Sequence, residues 1–148
     1  MSIRDLHNNI RTMTVLAPRA LATIAGSKTA KIIDRQGYGG VEFIISYGAN
    51  SASTAALTVI VKDGDVTGTL TSVADAYLLG TEALAGVGLV PRTSGTGKNV
   101  TKRVGYVGTK RYVTAYIGTV SAAVVTAANI FGIAAILHNP QVTPTANP

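Results

Sequence analysis

From Val41 to Tyr47 the chain alternates with a period of two. Val41, Phe43, Ile45 and Tyr47 fall on one side, and Glu42, Ile44 and Ser46 on the other. That spacing predicts a β-strand with one buried face, because successive side chains of a strand point to opposite sides. Gly37-Tyr-Gly-Gly40 punctuates its start and Gly48-Ala-Asn-Ser51 its end. Ala56-Leu-Thr-Val-Ile-Val-Lys62 repeats the pattern, and Asp63-Gly64-Asp65 predicts a turn after it. Shorter strands are expected at Thr12–Leu16 and Thr29–Asp34. Arg103–Val107, a Gly108-Thr109 turn and Arg111–Ile117 read as a hairpin, and a last strand falls within Asn129–His138. Ser72–Ala85, rich in Ala and Leu, predicts a helical turn or a loop with a short strand.

These elements predict an all-β fold, with about eight short antiparallel strands forming a single β-sandwich or jelly-roll-like barrel. No linker divides the chain, so residues 1–148 form one domain: a body over 10–138, an N-terminal arm over 1–9 and an extended C-terminal arm over 139–148. Prolines 140, 144 and 148 keep the second arm extended. Ile3, Leu6, Pro140, Val142 and Pro144 are the apolar points at which the arms are expected to meet neighbours. Thr119–Leu137 is apolar enough to raise a membrane span. Thr119, Ser121, Thr126, Asn129 and Gly132 interrupt it, and two buried strands joined by a small-residue loop have the same hydropathy, so membrane insertion is not expected.

Composition narrows the class of function. Of the 148 residues, 47% are hydrophobic and 14% charged, against about 25% charged in ordinary soluble proteins. The surface is therefore covered largely by Ser, Thr, Asn, Gly and Ala, which suits contact with other protein surfaces. The absence of cysteine excludes disulfides and thiolate chemistry. The first residues lack an apolar stretch of signal-peptide length, so export by that route is not expected. The net charge of +6 is unevenly placed: all seven acids lie at or before Glu82, while Arg92, Lys98, Lys102, Arg103, Lys110 and Arg111 follow it.

Lys98, Lys102, Arg103, Lys110 and Arg111, with Tyr112 and Tyr116 on one strand face and Tyr106 expected across from them, form the candidate interaction surface. Cations among tyrosines can hold single-stranded nucleic acid. The same residues can bury rings at a protein contact with the hydroxyls still hydrogen-bonded, and this contact is the preferred reading. Other chemistry finds little support. His7 and His138 have no metal-ligand spacing, and no nucleophile elbow occurs. Gly95-Thr-Gly-Lys98 lacks both the earlier glycine and the following hydroxyl of a phosphate loop. Asp63 and Asp65 lack the further ligands of a calcium loop, the twelfth position being Ala74. No catalytic residue, cofactor, metal or small-molecule substrate is expected.

Ser2-Ile-Arg-Asp-Leu-His-Asn-Asn9, Ile32-Ile-Asp-Arg-Gln-Gly-Tyr38 with Val41-Glu-Phe-Ile-Ile, Leu79-Gly-Thr81, Gly105-Tyr-Val-Gly-Thr-Lys-Arg-Tyr-Val113 and Leu137-His-Asn-Pro140 follow one another in an order that resembles small virion structural proteins of tailed bacteriophages. The resemblance implies a capsid cement or decoration protein, made in the host bacterial cytoplasm and bound outside the head. Its partners would be the major capsid protein and copies of itself, as a trimer. A tail-tube or head–tail joining subunit, and a nucleic-acid-binding module using Lys98–Arg111, are the alternatives.

Overall fold

The computed structural model describes residues 6–20, 30–49, 57–87, 99–120 and 130–141. One helical turn, α1 (Leu6–Asn9), leads into β1 (Ile10–Ala20). Then come β2 (Ile33–Asp34), β3 (Tyr38–Tyr47), β4 (Leu57–Gly64) and β5 (Thr71–Ser72). A 3-10 turn at Asp75–Tyr77 precedes β6 (Leu78–Leu79) and a second short helix, α2 (Glu82–Ala85). The chain closes with β7 (Val100–Tyr106), β8 (Tyr112–Val120) and β9 (Ile130–Pro140).

Among the described residues the strands form two antiparallel sheets. One runs β1-β9-β3-β7-β6 and the other β2-β8-β4-β5. The fold is an all-β sandwich, as the alternation implies. Val41, Phe43 and Ile45 of β3, Val104 of β7 and Phe131, Ile133 and Leu137 of β9 line the inner face of the five-stranded sheet. They meet Leu57, Val59 and Val61 of β4 and Val113 and Ala115 of β8 across the core. Two facing sheets with alternating inward residues bury one shared apolar layer, which holds the sheets together. Ala85 of α2 joins that layer, and the Tyr47 hydroxyl donates to its carbonyl at 2.8 Å.

The strand edges are closed by unusual means. On β4 the Val61 N–H donates to the Glu82 carboxylate at 2.6 Å, and the Val61 carbonyl accepts from Val73 N–H at 3.1 Å. Leu57 and Val87 exchange both backbone bonds. A side chain and a helix thus stand where a neighbouring strand would pair. On β1 the ladder with β9 slips between Thr14 and Leu16, and the Val15 carbonyl turns to accept from Lys31 N–H at 2.8 Å. A second slip, between Leu16 and Arg19, contains Pro18, which has no N–H to contribute to a ladder. The turn into β3 requires Gly37, whose φ of 89° is open to glycine.

Several expectations are corrected. Arg103–Val107 and Arg111–Ile117 are not a hairpin: β7 pairs with β3 and β6, β8 pairs with β2 and β4, and residues 107–111 cross between the sheets. Alternation is identical in both arrangements, because it records which side is buried and not which strand lies alongside. Asp63 and Gly64 belong to β4, so the turn begins at Asp65. Within Thr29–Asp34 only Ile33 and Asp34 are strand among the described residues. Leu6 sits in a helical turn instead of an extended arm, and Pro140 lies inside β9 opposite Tyr38. Ile3, Val142 and Pro144 fall outside the described residues. The apolar Thr119–Leu137 segment is framed by the end of β8 and the start of β9, and no described helix is long and apolar enough to cross a membrane.

Candidate functional site

Tyr112, Thr114 and Tyr116 share the outer face of the four-stranded sheet, as their spacing predicts. Opposite them on β4 stand Gly64, Lys62 and Ile60. The middle of the face is covered, with Thr114 and Tyr116 buried and Tyr112, Lys62 and Ile60 partly exposed. Tyr116 is only 8% exposed, with the Lys62 ammonium 5.6 Å from its ring centre, and the Thr114 hydroxyl donates to the Lys31 carbonyl at 3.1 Å. Arg111 lies 5.0 Å over the Tyr112 ring. A base cannot stack on a ring so covered, which removes Tyr116 from a nucleic-acid platform. Tyr106, expected across from these tyrosines, instead points into the core from the other sheet.

Three cations of the basic stretch meet acids in space. Arg111 donates to both carboxylate oxygens of Asp34, the shorter bond being 2.7 Å. Lys110 Nζ reaches Asp65 at 2.5 Å, and Arg103 lies 3.7 Å from Glu42. Asp34 and Asp65 are held below their ordinary pKa, first by the hydrogen bonds from Arg111 and Lys110 respectively. Lys110 and Arg111 are raised by the same bonds. Lys102 is on the inward-facing side of β7, opposite Ile45, and is half-buried. Lys98 lies outside the described residues. Among the described residues, acids from the N-terminal half are thus delivered to three cations of the C-terminal half, Arg103, Lys110 and Arg111.

Two residues that periodicity does not single out organise this end of the sandwich. The Arg35 guanidinium donates to the carbonyls of Lys110, Tyr38, Gly39 and Gly108, at 2.5 to 3.3 Å, and lies 5.5 Å over the Tyr106 ring. Asp63, 9% exposed, accepts from the Tyr106 hydroxyl at 2.6 Å, and that hydroxyl accepts from Lys110 N–H at 3.1 Å. Burial raises the Tyr106 phenol well above its ordinary pKa, and the Asp63 hydrogen bond adds to it. The donors of this cluster serve carbonyl, carboxylate and hydroxyl oxygens. The cluster clamps the crossover at residues 107–111, and the arrangement is a fastening. Among the described residues no three His, Asp or Glu side chains gather as metal ligands.

The outer face of the five-stranded sheet has a different character. Strand register arranges it in four rows. Ile10, His138 and Gly40 form the first, and Thr12, Ile136, Glu42, Gly105 and Leu79 the second. Thr14, Ala134, Ile44 and Arg103 form the third, and Gly132, Ser46 and Thr101 the fourth, which Pro18 of β1 extends by packing beside Gly132. Two adjoining hollows of about 320 and 240 Å³ lie on it and share Pro18, Ser46 and Gly132. Thr14, Ser46 and Ala134 are exposed, and Leu79 is 55% exposed. Among the described residues its ionisable groups, apart from His138, are Glu42 and Arg103. Small and apolar side chains in rows that carry little charge make a surface suited to protein contact. The low charged fraction gave no position for charge-poor residues, and strand register gathers these rows on one side of this sheet.

Comparison with family models, curated proteins and solved structures finds no match to this chain.

Proposed function

We propose that this chain is a non-enzymatic structural protein of a tailed-phage virion, a cement or decoration subunit that binds the outside of the head and bridges capsid proteins. The observation that carries the reading is the charge-poor outer face of the five-stranded sheet, on a sandwich whose two layers are fastened by Tyr106–Asp63. A cement subunit needs a stiff body and a broad contact face rather than a reactive centre. Modest affinity at each contact suffices, because many contacts repeated over a lattice sum to strong retention. The order of motifs described above supports assignment to the virion. Pairing of Arg103, Lys110 and Arg111 with acids favours protein contact over nucleic-acid binding.

The test is location and copy number. Purified particles analysed by quantitative mass spectrometry and labelling are expected to contain many copies per particle on the head, and the isolated protein to bind expanded heads saturably. A few copies per particle, or label along the tail, would replace the cement role with a tail or joining role. Absence from the particle would end the virion reading.

A further inference from the structure

The two outer faces of the sandwich differ in a way that selects a partner. The four-stranded sheet presents Lys62, Arg111 and nearby Lys31 against Asp34, so two such faces brought together repel. Among the described residues, the outer face of the five-stranded sheet carries one exposed cation, Arg103, and one half-buried anion, Glu42. They stand on adjacent strands, with β3 as the middle strand of the sheet. A surface with a single plus and a single minus near its centre is complementary to itself. A two-fold rotation sets the Glu42 of one copy against the Arg103 of the other, and the reverse.

Four strands about 4.8 Å apart, each contributing about 25 Å of length, and the two-residue β6 cover about 500 Å². Two copies would then bury about 1,000 Å² in total, the least area expected of a specific interface. The exposed apolar Leu79 continues the face to its far edge, and the two hollows beside Gly132 offer relief for side chains of the opposing copy.

We infer that the outer face of the five-stranded sheet is where two copies of this chain pack face to face, with Glu42 of each opposite Arg103 of the other. The inference rests on the reading that the protein works by association, and gives this face to a second copy, so that the dimer meets the head through its remaining surfaces. Arg103 and Ala134 are exposed and point away from the core, so changing them leaves the fold's buried layer intact.

The experiment uses the full chain in sedimentation velocity across a concentration series, with circular dichroism to confirm folding. Wild type is expected to show a monomer–dimer equilibrium. Arg103→Glu and Glu42→Arg each place like charges together, and each is expected to weaken dimerisation at least about tenfold. An equimolar mixture of the two variants is expected to recover a heterodimer, a result that an ion pair within one chain does not produce. Ala134→Lys, which leaves Glu42 and Arg103 in place, is expected to abolish the dimer and covers the case in which Glu42→Arg fails to fold. A wild type that stays monomeric overturns the inference; so does a trimer, a dimer indifferent to Arg103→Glu and Ala134→Lys, or folded monomeric variants that do not recombine. Head binding separates this from the proposed function. Wild-type dimers that ignore heads remove the virion role alone, and head-binding monomers remove this interface alone.

Discussion

Tyr106 and Asp63 are joined by a 2.6 Å hydrogen bond that runs from the five-stranded sheet to the four-stranded one. The phenol is fully buried and the carboxylate nearly so, which makes the bond a polar tie through an otherwise apolar layer. A buried carboxylate that loses its donor keeps its desolvation penalty, so the tie matters more for what its loss leaves behind than for its own strength. Tyr106→Phe is therefore expected to destabilise the fold by about 1–3 kcal/mol, seen as a lower urea midpoint with unchanged slope. An unchanged midpoint would show that Asp63 is served by water.

The same residue sets an alkaline limit. Its phenol titrates above the ordinary value of 10.0 because burial and Asp63 both disfavour the phenolate. The unfolded chain releases this proton at lower pH than the folded one does. Stability from this group is thus intact below about pH 10 and falls as pH rises beyond it. Urea midpoints across that range are expected to decline in wild type and to decline less in Tyr106→Phe.

Arg35 serves four backbone carbonyls from one planar group, a geometry that lysine cannot reproduce. Arg35→Lys keeps the charge and leaves several carbonyls without donors. It is expected to cost about 1–3 kcal/mol and to speed amide hydrogen exchange in residues 107–111. Wild-type exchange rates there would mean that the crossover holds without the clamp.

Glu82 closes the β4 edge through a single carboxylate on Val61 N–H. Glu82→Ala leaves that donor without its partner and is expected to lose about 1–2 kcal/mol, whereas Glu82→Gln retains an accepting oxygen and most of the stability. Equal losses in thermal or urea unfolding would assign the role of Glu82 to its charge and not to strand closure.

The paired cations predict weak contact with nucleic acid. Wild type is expected not to retard a single-stranded oligonucleotide at physiological ionic strength. Replacing Asp34 and Asp65 by asparagine frees Arg111 and Lys110 and is expected to introduce salt-sensitive retardation. Salt-sensitive retardation by the wild type would restore the cationic platform.

The strands themselves could be read along the chain wherever one face is buried and the other is wet. Val41, Phe43, Ile45 and Tyr47 announced β3 because a two-residue period survives any choice of neighbour. Pairing was another matter. The step from Tyr106 to Tyr112 has the look of a hairpin, yet its two strands face each other across the core, since inward-pointing residues on facing sheets alternate just as those on paired strands do. Arg35 carried no periodic signal, because its partners are main-chain carbonyls, two of the four more than seventy residues away.

Charge followed the same division. The linear order of residues established a surplus of cations after Glu82 and a surface poor in charge. Folding then set Asp34, Glu42 and Asp65 beside Arg111, Arg103 and Lys110, and left the uncharged rows on one side of one sheet. Local alternation depends on which side chains avoid water, a property of each short segment. Electrostatic pairing and sheet order depend on distances between segments, which exist only once the chain has closed on its core.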